Sequence, residues 1–473
     1  MQQKKKKQIP QSDSAGDWFP RSASVIGAGR SGIAAARILA QGGCDVFISD
    51  TCDEKKLDYI LASNNLAHLK HEAGGHSAAL LSSEVIILSP GVRSDLPVLQ
   101  AARDKGVPIW SEIELAFRLS TAPFAAVTGS SGKSTTVSLL GSIFTAAGRE
   151  HVVAGNIGSP LCACAPQVSS RGVVVAEVSS FQLETIDRFK PRAAAVLNLM
   201  KNHLDRYASE EEYDAAKKAI ARNMDMGCVL VLNARDEKLL TWSRSVQERT
   251  KVVFFGRETE SGDCVWHDCS ALFMRTAGSV RTVIDVDAMA IRGPHNWNNA
   301  CAAAAMAAVL GVDIPAIAGG LARFRGLPHR LEFVGEVDKV KYYNDSKATT
   351  AESVACAVQA FDANVHLICG GRDKGCDFAG IRDIIARRVK SVHCIGEAAG
   401  RIAIEWDGAT ELTREDSLEA AFAAARSAAA EGDVVLLSPG CSSFDMFSSF
   451  EQRGDVFKAL VGALTPKGNE HRE

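Results

Sequence analysis

The sequence predicts an α/β protein of three domains, each built on a largely parallel sheet. Three observations predict it. Short apolar runs alternate with helical patterns along most of the 473 residues, as strands joined by crossover helices do. Glycine loops follow two of those runs, GAGRSG after Val25-Ile26 and TGSSGKSTT beginning just after Val127. Polar loops follow three later runs, and open α/β sheets collect ligand-binding loops at the carboxyl ends of their strands.

Residues 1–22, with Lys4 to Lys7, read as a disordered basic tail; the domains follow as 23–120, 121–326 and 327–473. In the first, strands are expected at Ala23–Ile26, Val46–Ser49 and Val85–Leu88, with a helix running through Leu39. The second should hold strands at Val173–Val178, Ala194–Leu199 and Val229–Leu232, an irregular strand-like stretch from Val252 to Val286, and an alanine-rich helix after Asn296. The third should hold strands at Lys341–Tyr343, Val365–Cys369, Ser391–Ile395 and Val434–Leu437.

Composition bounds the function. Hydrophobic residues make up 46% and charged residues 23%, ordinary proportions for a globular enzyme. The net charge of −3 supplies no basic field to draw nucleic acid. The 13 cysteines contain no C-x-x-C pair and read as reduced thiols in a cytosolic protein. No apolar h-region follows the tail, and the longest uncharged stretch, near Ala300 to Val312, is too short to span a bilayer. A cytoplasmic protein without nucleic-acid or membrane partners is expected.

TGSSGKSTT has the chemistry of a phosphate cradle. Backbone N–H groups of Gly129, Ser130, Ser131 and Gly132 and the helix N-terminus face an anion. Lys133 reaches outer phosphates, the Ser134 hydroxyl suits Mg²⁺, and Thr135 follows. The usual first glycine of such loops is replaced by Val127. In GAGRSG, Gly27, Gly29 and Gly32 allow a tight turn against a diphosphate, and Asp50 at the end of the next strand can hold a ribose hydroxyl. By itself this pattern suits NAD, FAD or a UDP-sugar equally.

Glu177 in AEVSSFQLE ends a strand where a carboxylate can hold Mg²⁺. His203 and Asp205, in NLMKNHLDRY, follow the next strand. Asn296 and Asn299, in GPHNWNNA, share a helix face; they could read a purine edge, or Asn296 could be a plain N-cap. The loops YNDSKATT, GGRDKGCDF and SPGCSSFDMFSSFEQRG follow the first, second and last expected strands of the last domain.

Taken in this order, SSFQLE, HLDRY, GLPHRLE, NDSKATT and SPGCSSFDMFSSFEQRG resemble the Mur ligase family of peptidoglycan synthesis, from about Val25 to Gly462. The resemblance is strongest to the branch that adds D-glutamate to UDP-N-acetylmuramoyl-L-alanine. It implies an N-terminal Rossmann-like UDP-binding domain, a central P-loop ATPase-like domain and a C-terminal Rossmann-like domain for the amino acid. That family's phosphate loop also lacks the first glycine. The implied activity is an ATP- and Mg²⁺-dependent ligation through an acyl phosphate, in a cytoplasmic enzyme expected to be a monomer.

Residue roles are carried over by the same resemblance. The UDP-substrate side takes Gly27, Gly29, Arg30, Ser31, Gly32, Asp50 and Thr51, with Asn156 and Ser179. ATP takes the loop from Gly129 to Thr135 with Asn296, Asn299, Arg330 and Asp345. The catalytic set is Lys133, Glu177, His203 and Lys217; metal falls to Ser134, Glu177, His203 and Lys217, the last as a carbamylated lysine, with Lys218 adjacent. D-glutamate takes Lys347, Thr349, Lys374, Ser443 and Phe450. Ser131, Asn202 and Arg372 depart from the family's usual residues. Nearby alternatives are another Mur-type amino-acid ligase or a folylpolyglutamate-type synthetase. An NAD-dependent oxidoreductase would account for GAGRSG alone.

Overall fold

A computed structural model describes residues 18–200, 206–362, 364–373 and 375–464. It divides into two compact units: the chain up to Ala288 with Asn298–Arg323, and Met289–Trp297 with the chain from Phe324 onward.

The first unit holds two sheets. Strands β1 (Ser22–Ile26), β2 (Asp45–Ser49), β3 (Lys70–Glu72), β4 (Val85–Leu88) and β5 (Ile109–Ser111) form a parallel sheet in the order β3-β2-β1-β4-β5. Strand order reverses at β1, which makes the end of β1 a topological switch point. GAGRSG opens there, and the helix Arg30–Gln41 follows it. A Cβ on Gly32 would lie 1.8 Å from the Gly27 carbonyl oxygen, so this turn admits only glycine.

The second sheet contains β6 (Phe124–Thr128), β7 (His151–Gly155), β8 (Val173–Glu177), β9 (Ala193–Val196) and β10 (Val229–Asn233), then β11 (Lys251–Gly256), β12 (Cys264–His267), β13 (Ala271–Thr276) and β14 (Ser279–Asp285). Their order is β14-β13-β12-β11-β10-β9-β6-β8-β7, parallel from β7 to β12 and antiparallel beyond. FAAVT, VVVAE and AAAV are buried throughout, as strands covered on both faces must be. The expected irregular stretch after Val252 resolves into β11 to β14. β9 stops at Val196, short of the expected Leu199.

The two sheets share one apolar core that runs from Val25 and Ile48 to Val174 and Leu230. Arg206 adds a polar lock: its guanidinium donates to the carbonyls of Pro90 and Val92 and lies 3.8 Å over the Phe181 ring. These shared contacts explain why two expected domains form one unit. The expected tail 1–22 ends earlier than predicted, because Phe19 is already in the core and β1 begins at Ser22. Residues 1–17 lie outside the described residues.

The second unit holds β15 (Glu332–Val337), β16 (Val340–Asn344), β17 (Val365–Gly370), β18 (Val389–Ile395), β19 (Glu411–Arg414) and β20 (Val434–Leu437), in the order β15-β16-β20-β17-β18-β19. All neighbours are parallel except the β15–β16 hairpin. Strands β16, β20 and β17 are adjacent, so the three polar loops do emerge side by side. The expected boundary at residue 327 falls close to Phe324, but Met289–Trp297 also packs with this unit. Among the described residues, no helix is long and apolar enough to cross a membrane.

Helix Ile314–Arg323 packs on Lys133–Ala146, the helix of the phosphate loop. A Cβ on Gly320 would fall 2.3 Å from the Ile143 Cα, whereas at Gly319 the nearest atom is 3.9 Å away. Gly320→Ala should therefore destabilise the unit by about 1–3 kcal/mol through overpacking. Gly319→Ala should be neutral or stabilising by up to about 1 kcal/mol through helix propensity. Urea unfolding midpoints of the two variants check this; equal midpoints would contradict the packing argument.

Candidate active site

The phosphate loop is built by β6 and the helix Lys133–Ala146. Gly132 caps that helix in the left-handed region, at φ 81°, where a side chain is disfavoured. A Cβ there would also meet the Asn299 Oδ1 at 2.3 Å. Asn299 is thus buried beneath the loop, with its Oδ1 3.4 Å from the Thr136 hydroxyl. Ser134 is buried, Thr135 half-buried and Ser131 exposed.

The loop's donors are engaged internally. The Asn198 Oδ1 accepts from both Ser130 N and Ser131 N, each at 2.9 Å, and the Asn198 Nδ2 donates to the Ser131 hydroxyl at 3.2 Å. Lys133 Nζ donates to the Gly129 carbonyl at 2.8 Å and to that of Ser130 at 3.3 Å. Sequence reasoning missed Asn198, although it lies in the quoted string NLMKNHLDRY. The signal was its place just past β9, the strand next to β6.

Glu177 ends β8, on the other side of β6, opposite Val127 and Gly155 in register. Its Oε1 accepts from Asn156 Nδ2 at 2.9 Å, while Oε2 is buried with no hydrogen-bond partner among the described residues. A buried carboxylate oxygen left unsatisfied is costly and suits a cation. Among the described residues no cluster of three His, Cys, Asp or Glu forms a ready-made metal cage. Mg²⁺ binds through one or two carboxylates with waters and substrate phosphates. The Glu177 Oε2 therefore fits this ion; His203 lies outside the described residues.

Lys217 is fully buried on the helix Glu210–Lys218, with Nζ 3.1 Å from the Tyr213 ring centroid. Burial first, and the Lys133 charge second, push its amine down to about 7, against the pull of Asp214. Lys218 instead faces Trp242 at 5.9 Å and is half-buried. A ring series from Phe181 through Tyr207 to Tyr213, at 5.9 and 5.2 Å, brings the Lys217 helix against the segment that follows Glu177. Ser179 in that segment caps the helix Ser180–Leu183 in a reciprocal box with Gln182.

At the first sheet's switch point, Arg30 and Gly29 are exposed, and Arg30 Nη1 reaches the Gly158 carbonyl at 3.3 Å. GAGRSG and the Asn156 loop therefore border one another. Ser31 is half-buried and Thr51 exposed. Asp50 accepts from Ala28 N at 2.6 Å and Cys52 N at 2.9 Å. Burial alone would raise its carboxyl, yet these N–H groups hold it below the usual range. Asp50 thus braces the glycine loop while keeping its charge.

In the second unit, Asp345 accepts from Leu331 N at 3.1 Å and the Ser438 hydroxyl at 2.9 Å. Although part of the residue reaches the surface, enclosure of its carboxyl pushes it up to about 7, opposed by those donors and by Arg330. Backbone bonds tie the three loops together: Gly440 N to Ala348 O, Gly370 N to Pro439 O and Arg372 N to Ser442 O, all 2.8–2.9 Å. Ser443 is buried, Thr349 half-buried, and Lys347 Nζ lies 4.9 Å from the Phe450 ring centroid. Lys374 lies outside the described residues. Asn296 sits inside the first turn of the helix Pro294–Val309, not at its cap, and its Nδ2 donates to the Arg292 carbonyl at 2.9 Å. It packs with this unit, whereas Asn299 belongs to the first.

Comparison with known proteins follows the same divisions. Residues 21–111 match the Mur ligase MurD-like N-terminal domain, 127–307 the Mur ligase middle domain, and 329–441 the Mur ligase glutamate ligase domain. The chain is 39% identical over 451 residues to a UDP-N-acetylmuramoylalanine–D-glutamate ligase of Pelotomaculum thermopropionicum, covering 95% of this chain and 99% of that one. It is 41% identical over 443 residues to the Acidobacterium capsulatum protein of the same name, covering 92% and 95%. The solved structure of the UDP-N-acetylmuramate-alanine ligase of Thermotoga maritima, 20% identical, covers 94% of this chain with a TM-score of 0.57 and shares its fold. With three consecutive domain matches and near-full-length relatives, the chain belongs to the Mur ligase family.

Proposed function

We propose that this chain is the ATP-dependent ligase that joins D-glutamate to UDP-N-acetylmuramoyl-L-alanine in peptidoglycan precursor synthesis. The observation that carries the reading is its near-full-length identity, 39–41%, with ligases of that name.

A carboxylate is a poor acyl donor, so it must first be activated. The terminal alanine carboxylate attacks the ATP γ-phosphorus; a new P–O bond forms as the β–γ bridge breaks and ADP leaves. The D-glutamate amine then attacks the acyl carbon, the tetrahedral intermediate expels phosphate, and the amine proton passes to solvent. The first barrier is repulsion between carboxylate and triphosphate. Lys133 turns from the loop carbonyls to the outer phosphates, and the N–H groups now held by Asn198 turn to the same charge. Each factor of ten in rate corresponds to about 1.4 kcal/mol of such stabilisation.

Mg²⁺ would supply charge neutralisation at the phosphate oxygens, held by Glu177 Oε2 and the Ser134 hydroxyl. Asn156 keeps the Glu177 carboxylate oriented. GAGRSG with Asp50 takes the uridine diphosphate end. Asn296, Arg330 and Asp345 serve the nucleoside of ATP, and Lys347, Thr349, Ser443 and Phe450 the amino acid, with Lys374 and His203 in the roles given above. The enzyme is read as cytoplasmic and monomeric.

Lys217 is read as carbamylated. Its neutral amine adds to CO₂, and the carbamic acid loses a proton, leaving an anion where an ammonium would repel metal. A depressed amine favours this reaction, because the base form is present near neutral pH.

Phosphate release with UDP-N-acetylmuramoyl-L-alanine should occur with D-glutamate and not with L-glutamate, D-alanine or L-lysine; preference for another amino acid would assign a different Mur-type ligase. Lys217→Ala should lose most activity and regain part of it with formate, and unchanged turnover would remove the carbamate. The CO₂-dependent share of wild-type activity should fade as pH drops below about 7, where the Lys217 amine takes up its proton.

A further inference from the structure

Arg453 lies in the first turn of the helix Phe450–Leu464 and is 1% exposed. A cation there works against the helix dipole, so helix stability does not explain it. Nε donates to the Ser346 hydroxyl at 3.0 Å; Nη2 donates to the Ser346 carbonyl at 2.8 Å and the Cys441 carbonyl at 3.1 Å. The Ser346 hydroxyl in turn donates to the Phe450 carbonyl at 2.8 Å. One guanidinium thus joins the loop after β16, the loop after β20 and the start of the last helix.

The loop after β17 completes the enclosure. A Cβ on Gly371 would lie 3.2 Å from Nη1 and 2.5 Å from the Ser442 carbonyl oxygen, so the backbone passes directly against the cation. Nη1 itself has no hydrogen-bond partner among the described residues. No carboxylate there lies within ion-pairing distance either, although the Cys441 thiol and Asp445 both favour its charge electrostatically. Burial lowers the guanidinium to about 10, which still leaves it charged at neutral pH.

A buried charge with no ion-pair contact is expensive, and an apolar side chain of similar volume would fill the space at lower cost. We propose that Arg453 is a positioning residue of the amino-acid site: a buried cation without an ion-pair contact that fixes three loops and contributes positive potential for a dicarboxylate amino acid. This rests on the D-glutamate reading above. The anchors sit close in sequence to the residues assigned to that substrate. Ser346 is three residues from Thr349, Cys441 two from Ser443, and Arg453 itself three from Phe450. The guanidinium does not touch substrate; it sets the loops and the field in which those side chains act.

Steady-state kinetics on the full chain test this, with D-glutamate, ATP and UDP-N-acetylmuramoyl-L-alanine varied in turn and thermal midpoints measured alongside. Arg453→Met should raise the KM for D-glutamate by about tenfold or more and leave the other two KM values within about twofold. Arg453→Lys, which keeps the charge and loses the fork, should recover part of that rise. An unchanged KM for D-glutamate in folded Arg453→Met would overturn the proposal, as would a uniform loss across all three substrates with a lowered midpoint. If Arg453→Met does not fold, Ser346→Ala removes one anchor alone; it should raise the KM for D-glutamate selectively, and an unshifted KM would be equally fatal. Wild-type enzyme that ignores D-glutamate would sink the substrate reading itself, whereas active wild type with unshifted variants would sink only this inference.

Discussion

β6 lies between β8 and β9, with Val127 opposite Glu177 on one side and Ala195 on the other. This register puts three unlike groups at one sheet edge: the phosphate loop, a carboxylate with an unsatisfied oxygen, and Asn198. A slip of one residue would turn Glu177 to the opposite face and send an alanine to the edge. The three strands are buried along their whole length, and that burial is what pins the register. Chemistry at the edge therefore depends on apolar packing several residues away. The shared core between the first two sheets extends the same constraint to GAGRSG, since Arg30 reaches the loop that carries Asn156.

Much of this was legible in the sequence because it is local. A glycine loop between an apolar run and a helical pattern is a single continuous signal, and both such loops stand where the pattern put them. The convergence of YNDSKATT, GGRDKG and SPGCSSF was readable as well, because parallel strands must send their loops to one edge. What stayed hidden depends on pairing across the chain. Asn198 works through a loop 67 residues away. Asn296 and Asn299 share a helix face, yet one packs with each unit; helical spacing cannot reveal that division. Ser179, expected on the UDP-substrate side, also caps a helix, and SSFQ carries that capping-box pattern openly.

Within the second unit, His329 shows how a motif can be structural and functional together. It packs under Gly454, where a Cβ would meet its Nδ1 at 2.1 Å, and that nitrogen accepts from Asn344 Nδ2 at 3.1 Å. Its carbonyl also receives Lys347 N at 3.0 Å. GLPHRLE and FEQRG, distant in sequence, are therefore two sides of one contact. The loop that carries Lys347 inherits its position from this contact.

Among the described residues, the Glu177 Oε2, the Lys217 amine and the Arg453 guanidinium are buried against their own interest. Each lowers stability, and each lies near a segment proposed above to bind a ligand. A fold selected for stability alone would replace them with apolar side chains. On the proposed reading their signs complement their ligands: the Glu177 carboxylate would face a cation beside phosphate, and the Arg453 guanidinium would lie beneath the loops for a dicarboxylate amino acid. The lysine is the instructive case, because its local field, with Lys133 nearby, disfavours its own charge. An amine whose proton is held this weakly repels a cation less and is more nucleophilic than an exposed lysine, so the same burial that weakens the fold would prepare the residue for the carbamylation proposed above.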